Sequence, residues 1–128
     1  MDLKSHRVLI VEDEALIAFD LVDIVRGAGG TAIGPASSVK RAHRELDEHQ
    51  VTAAILDVNL VNENSLEVAK RLRRAGIPFI YHSGHFIKGD PAWPLAPLAR
   101  KPAEPRTLIA KLVRATRSIE RPCADLSG

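Results

Sequence analysis

The chain has 128 residues, of which 45% are hydrophobic and 27% charged, and its formal net charge is +2. These values predict one globular domain, leave no room for a second, and exclude a disordered chain. The run at residues 27–39, which no stretch without Asp, Glu, Lys or Arg exceeds in length, contains glycines and a proline and is too short for a membrane span. Because the mild positive charge is interleaved with acids, nucleic acid is not expected as a partner.

Apolar runs of strand length alternate along the chain with segments of helical spacing. The predicted strands are residues 8–11, 31–34, 53–56, 79–83 and 98–100. Pro35 is expected to end the second strand, which is weaker than the first by composition. Gly84 to Pro97, between the last two strands, contains three prolines and two glycines, so a helix there is expected to be reduced or irregular.

Apolar residues three and four apart predict a helix after the first, second, third and fifth strands. Their inward-facing positions are, in chain order, Ile17 to Ala28; Val39, Ala42 and Leu46; Leu66, Val68, Ala69 and Leu72; and Leu108 to Ile119. Ser37 and Ser38 are suited to cap the second helix, and Asn64 with Glu67 has the form of a capping box for the third. Pro105 lies near the start of the last helix.

Alternation of buried strands with helices predicts an α/β fold in which helices cover both faces of a parallel sheet. We expect a flavodoxin-like (βα)5 three-layer sandwich with five strands in the order 2-1-3-4-5. In such sheets the functional site lies beyond the carboxyl ends of the strands, at the point where the strand order reverses.

Polar groups follow four of these predicted strand ends: Glu12 and Asp13 after the first, Asp57 after the third, Ser83 in the fourth and Lys101 after the fifth. Three converging carboxylates would repel one another unless a cation joins them, and oxygen ligands of this kind suit Mg²⁺. A hydroxyl and an ammonium suit the oxygens of a phosphoryl group. Taken singly these residues have ordinary roles, and Asp13 alone would serve as the N-cap of the first helix.

Four motifs together resemble the receiver domain of two-component response regulators. They are VLIVEDE at residues 8–14, AILDVNL at 54–60, Ser83-Gly84, and RKP at 100–102, and the resemblance covers residues 7–120. It implies that Asp57 accepts a phosphoryl group from a histidine kinase or a histidine phosphotransfer protein.

The resemblance also implies a ligand set and a phosphoryl-binding pair. Mg²⁺ or Mn²⁺ would be bound by Asp13, Asp57 and the backbone carbonyl of Asn59, with Glu12 acting mainly through water. Ser83 and Lys101 would hold the phosphoryl oxygens. The Lys101–Pro102 bond matches a peptide that is frequently cis in this family, and proline is the residue that makes the cis form accessible.

Two features depart from the common receiver pattern. Leu98 stands three residues before the lysine, where typical receivers have a switch Tyr or Phe. Residues 79–85 are similar to a divergent subgroup with a Phe-Ala-Thr-Gly-type motif and a degenerate fourth helix. We therefore expect the switch to involve Ser83, Gly84, His85 and Leu98, with movement between His85 and Pro97.

These observations predict a stand-alone receiver spanning residues 1–128, with a core at about 7–120 and a tail at 121–128. Its output would be contact with an unknown downstream protein or onward phosphoryl transfer. It would not be an enzyme beyond Mg²⁺-dependent self-phosphorylation and dephosphorylation. Residues 1–7 lack the apolar region of a signal peptide and Cys123 is the only cysteine, so a cytoplasmic location is expected.

Three other functions compete with this one. An aspartyl-phosphate phosphatase is expected to have a second acid at the position of Asn59. It is also expected to have a cap domain, for which 128 residues leave no room. A nucleotide or flavin site would want glycines where residues 12–14 are acidic. The alternative that stays open is a pseudo-receiver, an interaction module that works without phosphorylation, because Leu98 departs from the switch pattern.

Overall fold

The computed structural model describes residues 2–84 and 90–120, with side chains as far as Arg117. The strands are β1 (Arg7–Val11), β2 (Thr31–Ala36), β3 (Ala53–Leu56), β4 (Asn59–Leu60), β5 (Glu63–Asn64), β6 (Phe79–Ser83) and β7 (Leu98–Arg100). The helices are α1 (Ala15–Gly27), α2 (Val39–Glu48), α3 (Leu66–Arg74) and α4 (Pro105–Glu120). The predictions for His85, Cys123 and the tail at 121–128 lie outside the described residues.

Five strands form one parallel sheet in the order β2-β1-β3-β6-β7. Counted along the sheet, this is the predicted order 2-1-3-4-5, so the flavodoxin-like fold is confirmed. The strand order reverses between β1 and β3, which places their carboxyl ends side by side. Strands β4 and β5 form a separate two-stranded antiparallel hairpin directly after β3, which the apolar runs did not predict.

The core lies on both faces of this sheet, because successive strand side chains point to opposite sides. Leu9 and Leu56 belong to the face covered by α2 and α3, where Leu72 packs. Ile10 and Ile55 belong to the other face, covered by α1 and α4. With both sides buried, the inner strands are apolar at most positions, and this is why short apolar runs identified them.

The predicted end of β2 at Pro35 is wrong, since the strand continues to Ala36. β2 is an edge strand, where a proline that lacks an N–H is tolerated, and its register against β1 shifts between Leu9 and Val11. Gly34 has φ +95°, and a Cβ there would lie 2.7 Å from the backbone nitrogen of Ala36. Glycine therefore allows the bend through which the strand continues.

One of the two predicted helix caps is confirmed. Ser38 precedes α2, and its Oγ accepts a 3.1 Å hydrogen bond from the N–H of Arg41. The predicted capping box at Asn64 is wrong by one residue, because α3 follows Ser65. The Asn64 side chain still accepts a bond of 3.0 Å from the N–H of Leu66. A side chain two residues before the helix thus satisfies one of its first N–H groups.

Between β6 and β7, the described residues Gly84 and 90–97 contain no helix, in agreement with a reduced fourth helix. Residues 90–97, here called the 90–97 segment, are tied to the domain by side chains. The Tyr81 hydroxyl donates to the carbonyl of Pro94, and the Trp93 ring packs edge-on against Tyr81 with centroids 5.9 Å apart. Arg73 of α3 donates to the carbonyl of Leu95. An irregular segment is therefore anchored where a helix usually packs.

None of the helices in the described part of the chain combines the length and the apolar character needed to cross a bilayer.

Candidate functional site

Backbone hydrogen bonds between neighbouring strands extend to three of the predicted site residues. The N–H of Glu12 donates to Ala36, that of Asp57 to Val11, and that of Lys101 to Ser83, each at 3.0 Å. The side chains that follow the strand ends therefore start from fixed backbone positions. The structure brings Glu12, Asp57 and Lys101 together at the carboxyl edge of the sheet.

Lys101 lies between two buried carboxylates. Its Nζ is 2.9 Å from Oε1 of Glu12 and 3.0 Å from Oδ2 of Asp57. Glu12 is only 2% exposed and Asp57 5%. An ammonium shared by two buried acids compensates charge that would be costly to bury unpaired.

Burial and this contact pull the pKa of Glu12 in opposite directions. Desolvation raises the pKa of Glu12 to about 7, although the hydrogen bonds from Lys101 and from the N–H of Glu14 favour the charged form. For Lys101, burial alone would lower the pKa, but its contacts with Glu12 and Asp57 outweigh that effect and raise it. The lysine therefore stays charged at neutral pH, whereas Glu12 titrates within the physiological range.

Asp13 adds a third carboxylate. The structure does not make Asp13 the N-cap of α1: Glu14 holds that position, without a side-chain cap bond. Asp13 is therefore not engaged as the N-cap of the first turn of α1. One oxygen from each of Glu12, Asp13 and Asp57 can be chosen so that all lie within 4.8 Å of one another. The three acids form a cluster at the reversal point of the strand order.

A cleft of about 540 Å³ opens over this cluster. It is lined by Asp13, Glu14, Asp57, Asn59, Leu60, Val61, Gly84 and Lys101. Asn59 is exposed at its rim in β4, which places it near the acids, as the sequence predicted. Ser83, at the end of β6, is buried with 1% exposure, and it is the next residue, Gly84, that reaches the cleft. Leu98 is half-buried at the start of β7.

The donor set fits a small divalent cation with oxygen ligands. Three carboxylates against one ammonium leave a net negative site, and the cleft above them has room for the waters that Mg²⁺ retains. Asp13 and Asp57 would hold the ion directly. Glu12, which is almost fully buried and paired with Lys101, is better placed to act through water.

Ser65 is a site residue that the sequence reading missed. It is fully buried, and its Oγ donates a 2.5 Å bond to the backbone carbonyl of Asp57. Its N–H donates to the carbonyl of Val58 at 3.0 Å. Ser65 therefore fixes the loop that follows β3. A serine directly before a helix looks like a cap, but this one makes no side-chain cap bond and positions Asp57 instead.

His82 is the second residue that was not predicted as part of the site. It lies in β6 beside Ser83, is 5% exposed, and has no hydrogen-bond partner for either ring nitrogen among the residues that the structure describes. Burial lowers its pKa, and the charge of Lys101 lowers it further against the opposing effect of Asp57. The ring is therefore neutral at neutral pH.

Comparison with known proteins agrees with this geometry. The model of the response regulator receiver domain matches residues 8–88. The DNA-binding response regulator MtrA of Mycobacterium tuberculosis is 30% identical over 135 residues, covering 99% of this chain and 58% of MtrA. The aerobic respiration control protein ArcA of Escherichia coli is 29% identical over 83 residues, covering 64% of this chain and 34% of ArcA. The chain thus spans about three-fifths of MtrA and a smaller part of ArcA.

Solved structures show the same fold. The receiver domain of the response regulator PhyR from Erythrobacter litoralis is 25% identical with a TM-score of 0.78, covering 88% of this chain and 90% of that one. A CheY-like receiver domain protein from Methanospirillum hungatei is 21% identical with a TM-score of 0.79, covering 93% and 98%. The PhyR similarity agrees with the divergent subgroup that residues 79–85 indicated.

Proposed function

The chain belongs to the response regulator receiver domain family, and we propose that it is a phosphorylation-controlled switch of two-component signalling, with Asp57 as the phosphoryl acceptor. The observation that carries this proposal is the position of Asp57. Its carboxylate is buried at the floor of an open acidic cleft, 3.0 Å from the ammonium of Lys101. A purely structural ion pair would not need a cleft above it.

The proposed donor is a phosphohistidine, carried by a histidine kinase or a histidine phosphotransfer protein. A carboxylate oxygen of Asp57 attacks the phosphorus, and the phosphorus–nitrogen bond breaks with its electron pair going to the imidazole. The product is an acyl phosphate on Asp57 and a neutral histidine once that nitrogen is protonated. Hydrolysis of the acyl phosphate by water returns the free carboxylate and releases inorganic phosphate.

Each neighbouring side chain has a proposed part in this transfer. Lys101, already 3.0 Å from Asp57, moves its contact to a phosphoryl oxygen as charge builds there. The hydroxyl of Ser83, at the end of β6, binds a second oxygen. Asp13, Asp57 and the carbonyl of Asn59 would hold Mg²⁺ or Mn²⁺, which supplies charge neutralisation for the phosphoryl oxygens. Ser65 holds the Asp57 backbone in place throughout.

A protein partner is favoured by apolar side chains beside the cleft. Leu16 and Phe19, three residues apart on the first turns of α1, are 84% and 62% exposed. Val61, 68% exposed, lines the cleft itself. We propose that the phosphohistidine donor covers these residues while its ring reaches Asp57. The resulting signal passes to a downstream protein in the cytoplasm, by changed contact or onward transfer.

Intact-mass spectrometry after incubation with Mg²⁺ and acetyl phosphate tests the acceptor. We expect one labile phosphoryl adduct on the wild type, none on Asp57→Asn, and an unchanged adduct on the control Asp23→Asn, which alters an exposed acid of α1. The amide cannot attack phosphorus. If a folded wild-type protein takes no adduct from acetyl phosphate or from a phosphohistidine donor, the pseudo-receiver alternative replaces this proposal.

The proposed contact surface for the phosphohistidine donor, formed by Leu16, Phe19 and Val61, is tested by comparing a small-molecule donor with a protein donor. Phe19→Ala should slow transfer from a phosphorylated histidine phosphotransfer protein while leaving acetyl phosphate labelling unchanged. Leu95→Ala removes an apolar side chain on the 90–97 segment that is even more exposed, at 88%, and serves as the control. Equal effects of the two variants on transfer would contradict the proposed surface.

A further inference from the structure

A second cavity lies on the face of the sheet that α1 and α4 cover. Its volume is about 310 Å³, at the lower end of the range typical of small-molecule sites. Its walls are largely aliphatic and include Ile17, Leu21 and Leu108. Three polar residues also line it: Asp20, His82 and Lys101. It is distinct from the acidic cleft, although Lys101 borders both.

His82 marks this cavity as more than a packing defect. The side chain lines it, is 5% exposed, and lacks a hydrogen-bond partner at both ring nitrogens within the described residues. Burying such a group unpaired is unfavourable. A neutral imidazole offers one donor and one acceptor. Both nitrogens are themselves buried in this ring orientation, so a molecule that enters the cavity would reach them by a turn of the His82 ring.

The charges around the cavity indicate what kind of molecule would fit. Lys101 carries a positive charge, but that charge is already compensated by Glu12 and Asp57. Asp20 is an exposed carboxylate and would repel an anion. A cation would be repelled by the nearby ammonium group of Lys101. Neither sign of charge is favoured, while the aliphatic walls favour an apolar body.

We propose that this cavity binds a small neutral molecule with an apolar body and a hydroxyl group, and that the hydroxyl exchanges hydrogen bonds with His82. A hydroxyl both donates and accepts, so it can use either ring nitrogen. The occupant would contact Lys101, which also borders the acidic cleft. Small-molecule binding would thus take place next to the proposed phosphoryl site without using any of its carboxylates.

Fluorine NMR with two probes of the same shape tests this proposal. The probes are 4-fluorobenzyl alcohol and 4-fluorotoluene, which lacks the hydroxyl. We expect saturable binding of the alcohol to the wild type in the millimolar range. In His82→Leu, the affinity for the alcohol should fall about fivefold relative to the affinity for the toluene, which corresponds to one lost hydrogen bond. His49→Leu, which changes an exposed histidine, should leave the ratio unchanged.

A second variant guards against misfolding of the first. Ile17→Trp enlarges a half-buried α1 side chain into the cavity and should abolish binding of both probes. If the alcohol shows no saturable binding to the wild type, the cavity holds water only and the proposal is wrong. It is also wrong if folded His82→Leu keeps the wild-type ratio. Since the readout uses neither Mg²⁺ nor phosphorylation, its result is independent of the proposed function.

Discussion

The hydroxyl of Tyr81 donates a 2.6 Å hydrogen bond to the carbonyl oxygen of Pro94, joining the strand that ends in Ser83 to the 90–97 segment. Burial raises the pKa of Tyr81 to about 12, so the hydroxyl keeps its proton and remains a donor. Leu98, at the position of the usual switch aromatic, has neither a ring nor a hydroxyl. Tyr81 is thus an aromatic group that connects the strand of Ser83 to the 90–97 segment.

Removing that hydroxyl should loosen the 90–97 segment. In Tyr81→Phe we expect faster hydrogen exchange in residues 90–97 and a loss of about 1 kcal/mol in the free energy of unfolding, the typical value of one such bond. The ring and its contact with Trp93 remain. Thr116→Val, which removes a 2.7 Å hydroxyl-to-carbonyl bond within α4, is the control. It should leave exchange at 90–97 unchanged. Unaltered exchange there in Tyr81→Phe would show that Tyr81 does not hold the segment.

Phosphorylation should act on the same region. With beryllofluoride bound at Asp57 as a phosphoryl mimic, we expect hydrogen exchange to change mainly in residues 84–100. Ser83 bonding to the mimic would pull on Gly84 and shift the segment between two arrangements. Leu98→Tyr should leave phosphorylation itself intact. Exchange changes confined to α2, with residues 84–100 unaffected, would contradict this switch.

Glu12 should make stability depend on pH in metal-free buffer. Because its pKa is about 7 in the folded protein against 4.5 ordinarily, the folded state keeps a proton that the unfolded state loses. Its stabilising contribution is therefore full below pH 4.5 and is lost as the pH rises through 7, by up to about 3 kcal/mol. Relative to the wild type, Glu12→Gln should gain free energy of unfolding between pH 5 and pH 8.

Urea unfolding in EDTA at several pH values measures this difference. Glu48→Gln changes an exposed acid of α2 and should run parallel to the wild type. Added Mg²⁺ should flatten the wild-type profile, because a cation beside Glu12 favours its charged form. Parallel profiles for the wild type and Glu12→Gln would mean that Glu12 is charged throughout.

Asp13→Ala should remove most of the Mg²⁺ affinity with little change in melting temperature when Mg²⁺ is absent. Asp13 is one of three clustered acids but not the N-cap of α1, so its loss costs the helix no cap bond. Calorimetric titration with Mg²⁺ measures the affinity, and Asp23→Ala on the exposed side of α1 is the control. Equal affinities for the wild type and Asp13→Ala would place the metal elsewhere.

The fold and the convergence of Glu12, Asp57 and Lys101 could be predicted because strands buried on both faces appear as uninterrupted apolar runs. Once the strands are located, parallel topology places their carboxyl ends at one edge. The same logic failed at Pro35, because an edge strand tolerates a residue that an inner strand would exclude. The order of the strands is thus easier to predict from the sequence than the residues at which they end.

Other features depend on geometry that one sequence does not display. Whether Asp13 or Glu14 caps α1 is set by the backbone angles of a single residue. Ser65 resembles a cap, yet its hydroxyl bonds to Asp57 across eight residues. The contact from Tyr81 to Pro94 joins residues 13 positions apart, and the sequence between them has no periodicity to read. Each of these needs the tertiary fold before its partner is known.

The most direct test of Asp57 as the acceptor locates the phosphoryl group chemically. Borohydride reduces an aspartyl phosphate to homoserine, so the modified residue can be identified by peptide mass spectrometry. After labelling with acetyl phosphate and Mg²⁺, we expect homoserine at position 57 and the unmodified acids at Glu12 and Asp13. Homoserine at another aspartate, with position 57 unchanged, would contradict the assignment of the site.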